Sequence, residues 1–507
     1  MPWLTVLGVI PLVGTAVIAA LPRERPVWAK WTALATTVVV LALTCVIAAR
    51  FDVHGPRFQF TEDVSWIPAF GIHYALGVDG VAVVLLLLTA VLWPVVILAS
   101  WHECEQTRRS VKTYLGLFVS METVLIGTFV STDLFLFYAL FETMLIPMYF
   151  IIGSSGTPRA SYAAMKFLLY SLAGGLLMLA AVIALYVVGP KSFLYSDLQN
   201  LHLPTADARW LFLGFFAAFA VKAPLWPLHT WLPDAVAEGP VGGSVLLVGV
   251  LDKVGTFGFL RYCLGLFPEA AHWFTPVVLV LAVIAVLYGA LQAIGQRDLL
   301  RLMAYVSVSH FGLITLGVFA FTSQGQAGAT LYMVNHGFST GALLLIIGFL
   351  IARRGTRGIH DFGGVQQVAP ILAGVFLLAS LSGLALPGLN TFVSEFLVLV
   401  GTFTRYEVAA GFATAGIILA SIYMLVMYQR TMTGPVRPHV EHVRDLSLRE
   451  RVVIAPMVAV IVALGFYPGP ILDIIKPGVA ATLQQTHDTD PQPAVQPAAV
   501  APSGGSS

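Results

Sequence analysis

Long apolar runs alternate with short polar stretches along almost the whole chain. A helix rises about 1.5 Å per residue, so about 20 apolar residues cross the hydrocarbon core of a membrane. The pattern therefore predicts an all-α polytopic membrane protein with about fourteen transmembrane spans. The first run has no basic segment before it and no small-residue cleavage site, which favours a span over a removed signal peptide. The predicted spans begin near Trp3, Trp28, Gly80, Thr113, Asp133, Ser161, Trp210, Gly243, Trp273, Leu299, Ala327, Ile371, Val408 and Val452.

Lysine and arginine residues are distributed unevenly over the connections between the predicted spans. Connections after odd-numbered spans hold eighteen of them, whereas connections after even-numbered spans, together with the C-terminal tail, hold six. Because cytoplasmic connections carry the excess of positive charge, the connections after odd-numbered spans are predicted to be cytoplasmic. Both termini are then predicted to lie on the outer side.

Two segments on the predicted outer side differ from the spans. Residues 51–79 partly alternate between apolar and polar positions and contain glycine-rich turns, which indicates either a short β-hairpin or an irregular loop. The tail at 486–507 is rich in Pro, Ala, Gly and Ser and is predicted to be disordered.

Composition supports a membrane protein and excludes other classes. Of the 507 residues, 58% are hydrophobic and 10% are charged, against about 25% charged residues in an ordinary soluble domain. The formal net charge of +1 gives no basic field for nucleic acid. Cys45, Cys104 and Cys263 occur without a ligand motif, so no disulfide framework, iron–sulfur cluster, metal or other cofactor is predicted in this chain.

Ionisable residues inside the predicted spans are few, and they are the candidate functional residues. Each costs at least about 2.5–3.5 kcal/mol at bilayer depth and so requires a partner, a hydrated cavity or a function. Carboxylates, lysines and histidines that follow one another across several helices are the groups that a proton wire requires. The main candidates are Glu142, Lys222, Lys253, His310, His336 and Glu395, with Glu122, Asp133 and Asp252 as secondary candidates.

Structural roles are the alternative for each of these residues. A buried lysine or glutamate can form an ion pair that only holds helices together. A histidine can hydrogen-bond a neighbouring helix. Glu122 lies near a helix end and Asp252 lies beside Lys253, where snorkelling or local pairing would suffice. The number of these residues and the alternation of their types favour the functional interpretation.

Prolines predict two broken helices. Pro224 follows Lys222 in the seventh span, and Pro387 precedes Glu395 in the twelfth. Proline removes an amide donor and clashes with the preceding turn, so each helix is expected to break there. Because the two prolines lie 163 residues and five spans apart, the sequence predicts two five-helix repeats of inverted topology. The predicted division is 1–112, with spans 1–3; 113–265 and 266–430, the two repeats; 431–485, with span 14; and the tail 486–507.

Five segments resemble the antiporter-like membrane subunits of proton-pumping NADH-quinone oxidoreductase, respiratory complex I, and among these the subunit M family. They are FYALFETMLIPMYFIIG, FAAFAVKAPLWPLHTWLPDAVAEGP followed by VLDKVGTFGFLRY, DLLRLMAYVSVSHFGLITLG, and ALPGLNTFVSEFLVLVG. The resemblance extends over nearly the whole chain up to the polar tail. Two features are specific to subunit M, namely the context around Glu142 and the glutamate, in place of lysine, at Glu395.

The resemblance implies residue roles that the spacing alone does not. Glu142 and Lys222 match the coupling ion pair of the family, Lys253 its central relay lysine, His310 and His336 its bridging histidines, and Glu395 its terminal acid. Asp252 departs from the apolar residue expected beside the relay lysine.

The resemblance also implies partners and a location. The chain is expected to be a proton-translocating membrane-arm subunit of this enzyme, in a bacterial plasma membrane, beside other membrane subunits that include two further antiporter-like ones. Flavin, iron–sulfur clusters and quinone are expected in partner subunits.

Two other functions remain open from the sequence. A subunit of an Mrp-type multisubunit cation/proton antiporter would share the broken helices and the lysines. A membrane spacer would use the same charges only for packing.

Overall fold

Helices account for nearly the whole described chain. The computed structural model describes residues 2–22, 24–199 and 201–491. The first half contains α1 Trp3–Ala20, α2 Pro26–Arg50, α3 Gly80–Ala99, α4 Glu103–Gln106, α5 Val111–Val130, α6 Leu134–Thr143, α7 Leu145–Ile152, α8 Ala160–Val188, α9 Tyr195–Leu198, α10 Thr205–Lys222 and α11 Trp231–Glu238. The second half contains α12 Val241–Leu246, α13 Lys253–Gly258, α14 Pro268–Ile294, α15 Leu299–Val318, α16 Ser323–Arg354, α17 Val365–Val368, α18 Pro370–Gly383, α19 Asn390–Phe403, α20 Glu407–Met432, α21 Leu448–Phe466 and α22 Gly469–Thr486.

A helix begins within five residues of every predicted span start. Among the described residues, eleven helices or unbroken helix runs are long and apolar enough to cross a membrane, or twelve if the bent pair α21 and α22 counts as one span. The remaining predicted spans are not counted among these, because their helices are too charged or too short. Helix α10 carries Asp207, Arg209 and Lys222, and α18 and α19 have only 14 residues each because a break separates them.

The segment before α3 is a β-hairpin. Strands β1 (Gln59–Ile67) and β2 (Ile72–Val78) pair antiparallel, with Glu62 opposite Leu76. The backbone N–H of His73 donates to Asp133 Oδ2 at 3.0 Å, and Asp133 Oδ1 accepts from Leu136 N at 2.9 Å. Asp133 is therefore the N-cap of α6 and joins this helix to the hairpin.

Both predicted helix breaks, at Pro224 and Pro387, are confirmed. Helix α10 ends at Lys222 and α11 begins at Trp231, so residues 223–230 lie between the two helices. Helix α18 ends at Gly383 and α19 begins at Asn390. In the second break Gly388 has a φ of 94°, a conformation that glycine adopts without steric cost. The division of the chain into two inverted repeats with the boundaries given above stays a prediction.

The eighth span is less regular than its sequence predicts. π-Helical turns at Leu247–Leu251 and Phe259–Leu264 lie on either side of α13, which begins at Lys253. The whole run from Val241 to Leu264 is buried except for Val241 itself. π-Helical turns occur frequently at functional sites, and here one of them immediately precedes a buried charge pair.

The C-terminal part of the chain is ordered further than predicted. Helix α22 bends 73° away from α21 and packs against α3 and α16. Beyond its last residue, Asp488 Oδ1 lies 2.5 Å from Arg405 Nη1, and Asp490 Oδ1 accepts from Ser323 N at 2.7 Å. Residues 492–507, the rest of the predicted disordered tail, lie outside the described residues.

Candidate functional site

Glu142 and Lys222 are brought together by two adjacent glycines in α8. A Cβ atom at Gly175 would lie 1.7 Å from Glu142 Oε1, and a Cβ atom at Gly174 would lie 3.1 Å from the backbone of Ala218 in α10. Small residues allow close helix approach inside membranes. The glycine pair therefore gives the Glu142 carboxylate and α10 their places on α8, and sequence reasoning overlooked it.

The ammonium group of Lys222 lies in an aromatic environment at the first break. Its Nζ is 5.4 Å from the ring centroid of Phe141 and 5.3 Å from that of Phe167. Within residues 2–22, 24–199 and 201–491, neither Lys222 Nζ nor Glu142 Oε1 has a hydrogen-bond partner, yet the two charges act on each other. They form a separated charge pair, which a small displacement of either group strengthens or weakens.

Lys253, His336 and His310 lie next to one another in the centre of the molecule. Lys253 Nζ is 2.7 Å from His336 Nδ1 and also donates to the carbonyl oxygen of Val248 in the π-helical turn. The rings of His336 and His310 are 5.3 Å apart between centroids. In space His336 lies next to Lys253 and His310 lies beyond it, so the two histidines follow the lysine in the reverse of the order expected from the sequence.

Two tyrosines that sequence reasoning overlooked connect the histidines to Glu395. Tyr332 Oη donates a hydrogen bond to Glu395 Oε1, and the Tyr332 ring is 5.6 Å from the His310 ring. Tyr423 Oη lies 3.4 Å from His310 Nε2. Tyr332 precedes His336 by four residues in α16, so both side chains lie on one helix face.

A network of amides and hydroxyls surrounds the second break. Asn335 Nδ2 donates to the carbonyl oxygen of Asn390 at 2.7 Å, and Ser382 Oγ donates to Asn390 Oδ1 at 2.6 Å. Ser339 Oγ lies 2.6 Å from Ser382 Oγ. These hydrogen bonds join α16, α18 and α19 on both sides of the break.

The three secondary candidates have different environments. Asp133 caps a helix, as described above. Glu122 in α5 and Asp252, next to α13, are fully buried, and neither carboxylate has a hydrogen-bond partner among the described residues. In that part of the chain no charged side chain acts on Glu122, so an ion pair does not explain its burial.

Ion pairs attach α11 to neighbouring segments on the side of the molecule that is rich in arginine and lysine. Asp234 receives Lys166 Nζ at 2.8 Å and Arg301 Nη2 at 2.6 Å. Arg357 contacts Glu238 at 3.0 Å and Asp298 at 2.6 Å. The short helix after the first break is therefore attached to α8 and to α15.

A second buried ion pair joins the start of α3 to the end of the eighth span. Asp79, the N-cap of α3, is 2.7 Å from Arg261 Nη2 and 3.9 Å from Arg57 Nε. Burial by itself raises the pKa of Asp79, but the Arg261 and Arg57 charges and the Ala82 N–H outweigh it and lower the pKa below its ordinary value of 3.8. Among the described residues, no three His, Cys, Asp or Glu side chains form a group that could hold a metal ion.

Two family models match successive parts of the chain. The model described as NADH-ubiquinone oxidoreductase chain 4, amino terminus, matches residues 9–128. The model described as NADH:quinone oxidoreductase/Mrp antiporter, transmembrane, matches residues 131–422. All six main candidate residues lie within the second match.

Similar proteins and structures cover nearly the full length of the chain. NADH-quinone oxidoreductase subunit M of Mycobacterium tuberculosis is 48% identical over 97% of this chain and 96% of its own, and that of Rhodobacter capsulatus is 41% identical over 96% and 97%. A chain of respiratory complex I from Thermus thermophilus superimposes with a TM-score of 0.87 at 31% identity, covering 95% of this chain and 99% of that chain. A chain of the Mrp complex from Dietzia sp. DQ12-45-1b superimposes with a TM-score of 0.83 at 19% identity over 96% and 100%, which is a likeness of fold.

Proposed function

We propose a proton route through this chain, which belongs to the subunit M family of the NADH-quinone oxidoreductases. The chain is a membrane-arm, antiporter-like subunit of a proton-translocating enzyme complex. The observation that carries the route is the continuous order of titratable side chains from Lys253 through His336, His310 and Tyr332 to Glu395.

The first part of the route is a charge switch at the first break. Lys222 keeps its proton while the Glu142 carboxylate is near, because an opposite charge stabilises the ammonium form. When a neighbouring subunit draws Glu142 away, that stabilisation falls and Lys222 releases its proton. The missing hydrogen bond between the two groups supports this step, since little has to be broken.

The second part carries the proton to the terminal acid. Lys253 Nζ is already at hydrogen-bond distance from His336 Nδ1, so a proton passes directly between them. Water and the His310 ring carry it towards Tyr332 and Glu395. Glu395 holds the proton as a neutral carboxylic acid, which is the less costly form in a buried site, before releasing it to the outer side.

Redox chemistry in other subunits supplies the energy. The partners of this chain are other membrane subunits of the complex, and we include two further antiporter-like subunits among them. Flavin, iron–sulfur clusters and quinone belong to partner subunits in this proposal, and this chain holds no cofactor. We place this multi-pass chain in a bacterial plasma membrane. The excess of cations on one side supports an orientation with both termini outside.

The two broken helices support two inverted five-helix repeats, 113–265 and 266–430. Each break lies beside an ionisable side chain of the route, Lys222 in one and Glu395 in the other. Paired breaks at matching positions of inverted repeats are typical of transporters with an ion site near the membrane midplane.

Replacing Glu142 by Gln in the complete complex tests the switch. Glutamine keeps the size of the side chain but removes its charge, so NADH-driven proton pumping into membrane vesicles should be abolished and NADH-quinone turnover should fall. Lys222→Ala should have the same effect. Glu407→Gln changes an exposed carboxylate at the start of α20 and is the matched control with wild-type pumping.

Assembly separates this proposal from a purely structural role for the charges. Native electrophoresis should find the Glu142 and Lys222 variants in complexes of normal size and amount. Near-normal pumping by Glu142→Gln would refute the route. Loss of assembly in both variants would instead support a membrane spacer.

A further inference from the structure

Asp252 is a buried carboxylate that the route has so far left unused. It precedes Lys253 at the junction between a π-helical turn and α13, and its side chain is fully buried. Neither of its oxygens has a hydrogen-bond partner in the part of the chain that the structure describes. Burying a charged carboxylate without a partner is costly, so its presence in such a site indicates a function.

The span that carries Asp252 and Lys253 packs against two parts of the molecule. Three residues after Asp252, Gly255 packs against the first break, where a Cβ atom would lie 2.6 Å from Ala223 N, next to Lys222. Four residues before Lys253, Gly249 packs against Gly337 of α16, next to His336. The Asp252–Lys253 pair therefore lies in a span between the segment that carries Lys222 and the helix that carries His336.

The charges agree with this placement. Asp252 and Lys222 act on each other electrostatically, and so do Asp252 and Lys253. Glu142 acts on Lys222 and is not among the groups that act on Lys253. Asp252 is therefore the acidic group common to the two lysines.

We propose that Asp252 is a proton carrier between Lys222 and Lys253. This inference rests on the proposed function. It adds an intermediate carrier to the transfer from Lys222 to Lys253, for which the route above names none. The fold places a carboxylate between two lysines that have no direct hydrogen bond to each other.

The transfer conserves protons in two steps. First, an N–H bond of the Lys222 ammonium breaks and an O–H bond forms on the Asp252 carboxylate, leaving a neutral amine and a neutral acid. Then the Asp252 O–H bond breaks and an N–H bond forms on the neutral amine of Lys253, which restores the carboxylate. Water molecules bridge each gap, since neither Asp252 oxygen is hydrogen-bonded to a lysine nitrogen.

Asp252→Asn in the complete complex tests this role. Asparagine has nearly the same shape but cannot carry the proton, so NADH-driven pumping should fall about a hundredfold, the lower end of the range for loss of a positioned proton-transfer group. Asp252→Glu should restore most of the rate. Asp207→Asn, on an exposed position at the start of α10, is the matched control and should pump normally.

A spectroscopic measurement separates a proton carrier from a group that only balances charge. Infrared difference spectra of the complex during NADH turnover should contain a carboxylic acid C=O band that is absent in Asp252→Asn and shifted in Asp252→Glu. Wild-type pumping in Asp252→Asn, or an unchanged band, would overturn the inference. If Glu142→Gln abolishes pumping while Asp252→Asn does not, the route stands and only the role of Asp252 fails.

Discussion

The continuity of the proposed proton route depends on single side chains. Glu142, Lys222, Lys253, His336 and Glu395 stand out in the sequence because charge or imidazole is rare in apolar runs. Tyr332 does not stand out, because tyrosine is common in membrane helices and its hydroxyl has a function only when a partner is near. The structure places that hydroxyl on the Glu395 carboxylate.

Tyr332→Phe should interrupt the row at its last connection. The substitution removes the hydroxyl that contacts Glu395 but keeps the ring, so the complex should assemble while NADH-driven pumping falls about a hundredfold. Tyr428→Phe is the matched control, because Tyr428 lies half-buried against Phe376 in another part of the bundle. Equal pumping rates for the two variants would mean that the Tyr332 hydroxyl has no part in proton transfer.

Individual helices owe their irregularities to different causes. The breaks at Pro224 and Pro387 follow from local chemistry, and proline identifies them in the sequence. The π-helical turns around α13 have no such marker, since no proline occurs from Val241 to Leu264. Packing of glycines 249, 255 and 258 against neighbouring helices accompanies the altered winding.

Gly255→Ala should separate α13 from the first break. The new methyl group would lie 2.6 Å from both Ala223 N and Phe219 O, contacts that backbone atoms can relieve only by moving. Overpacking of this kind costs about 1–3 kcal/mol, and both thermal stability and pumping should fall. Gly411→Ala in α20, where nothing lies within 4 Å of the added atom, should be neutral or slightly stabilising. A Gly255→Ala complex as heat-stable as wild type would contradict this view of the contact.

Ion pairs near the helix ends and the C-terminal helix connect distant parts of the whole molecule. On one side Lys166, Asp234 and Arg301 join α8, α11 and α15. On the other side Asp79 and Arg261 join the start of α3 to the end of the eighth span. Helix α22 packs against α3 and α16 and so joins parts of the chain that are far apart in sequence.

Asp79→Asn should destabilise the assembled protein. It leaves Arg261 buried without a counter-charge, which typically costs about 3–5 kcal/mol, so the thermal unfolding temperature should fall. Because the folded-state pKa of Asp79 lies below its ordinary value of 3.8, the carboxylate contributes stability above that value and loses it only as the pH falls further. The difference between variant and wild type should therefore stay constant from about pH 5 to pH 8.

A matched substitution on the same hairpin checks the cause. Asp63 is exposed and its carboxylate pairs with His73, so Asp63→Asn should change the unfolding temperature little. A difference for Asp79→Asn that shrank steadily between pH 8 and pH 5 would show that another group is responsible.

The sequence by itself determined the membrane class, the positions of the spans, the two breaks and the rare charges that form the site. These are local properties: hydrophobic length, proline geometry and the cost of a charge in hydrocarbon act on a segment wherever it packs. Only the tertiary structure decided that Tyr332 contacts Glu395, that the span carrying Asp252 packs against both the first break and α16, and that α22 continues as a helix packed against α3. Those outcomes depend on which helices lie side by side, and that is settled by packing between residues distant in the chain.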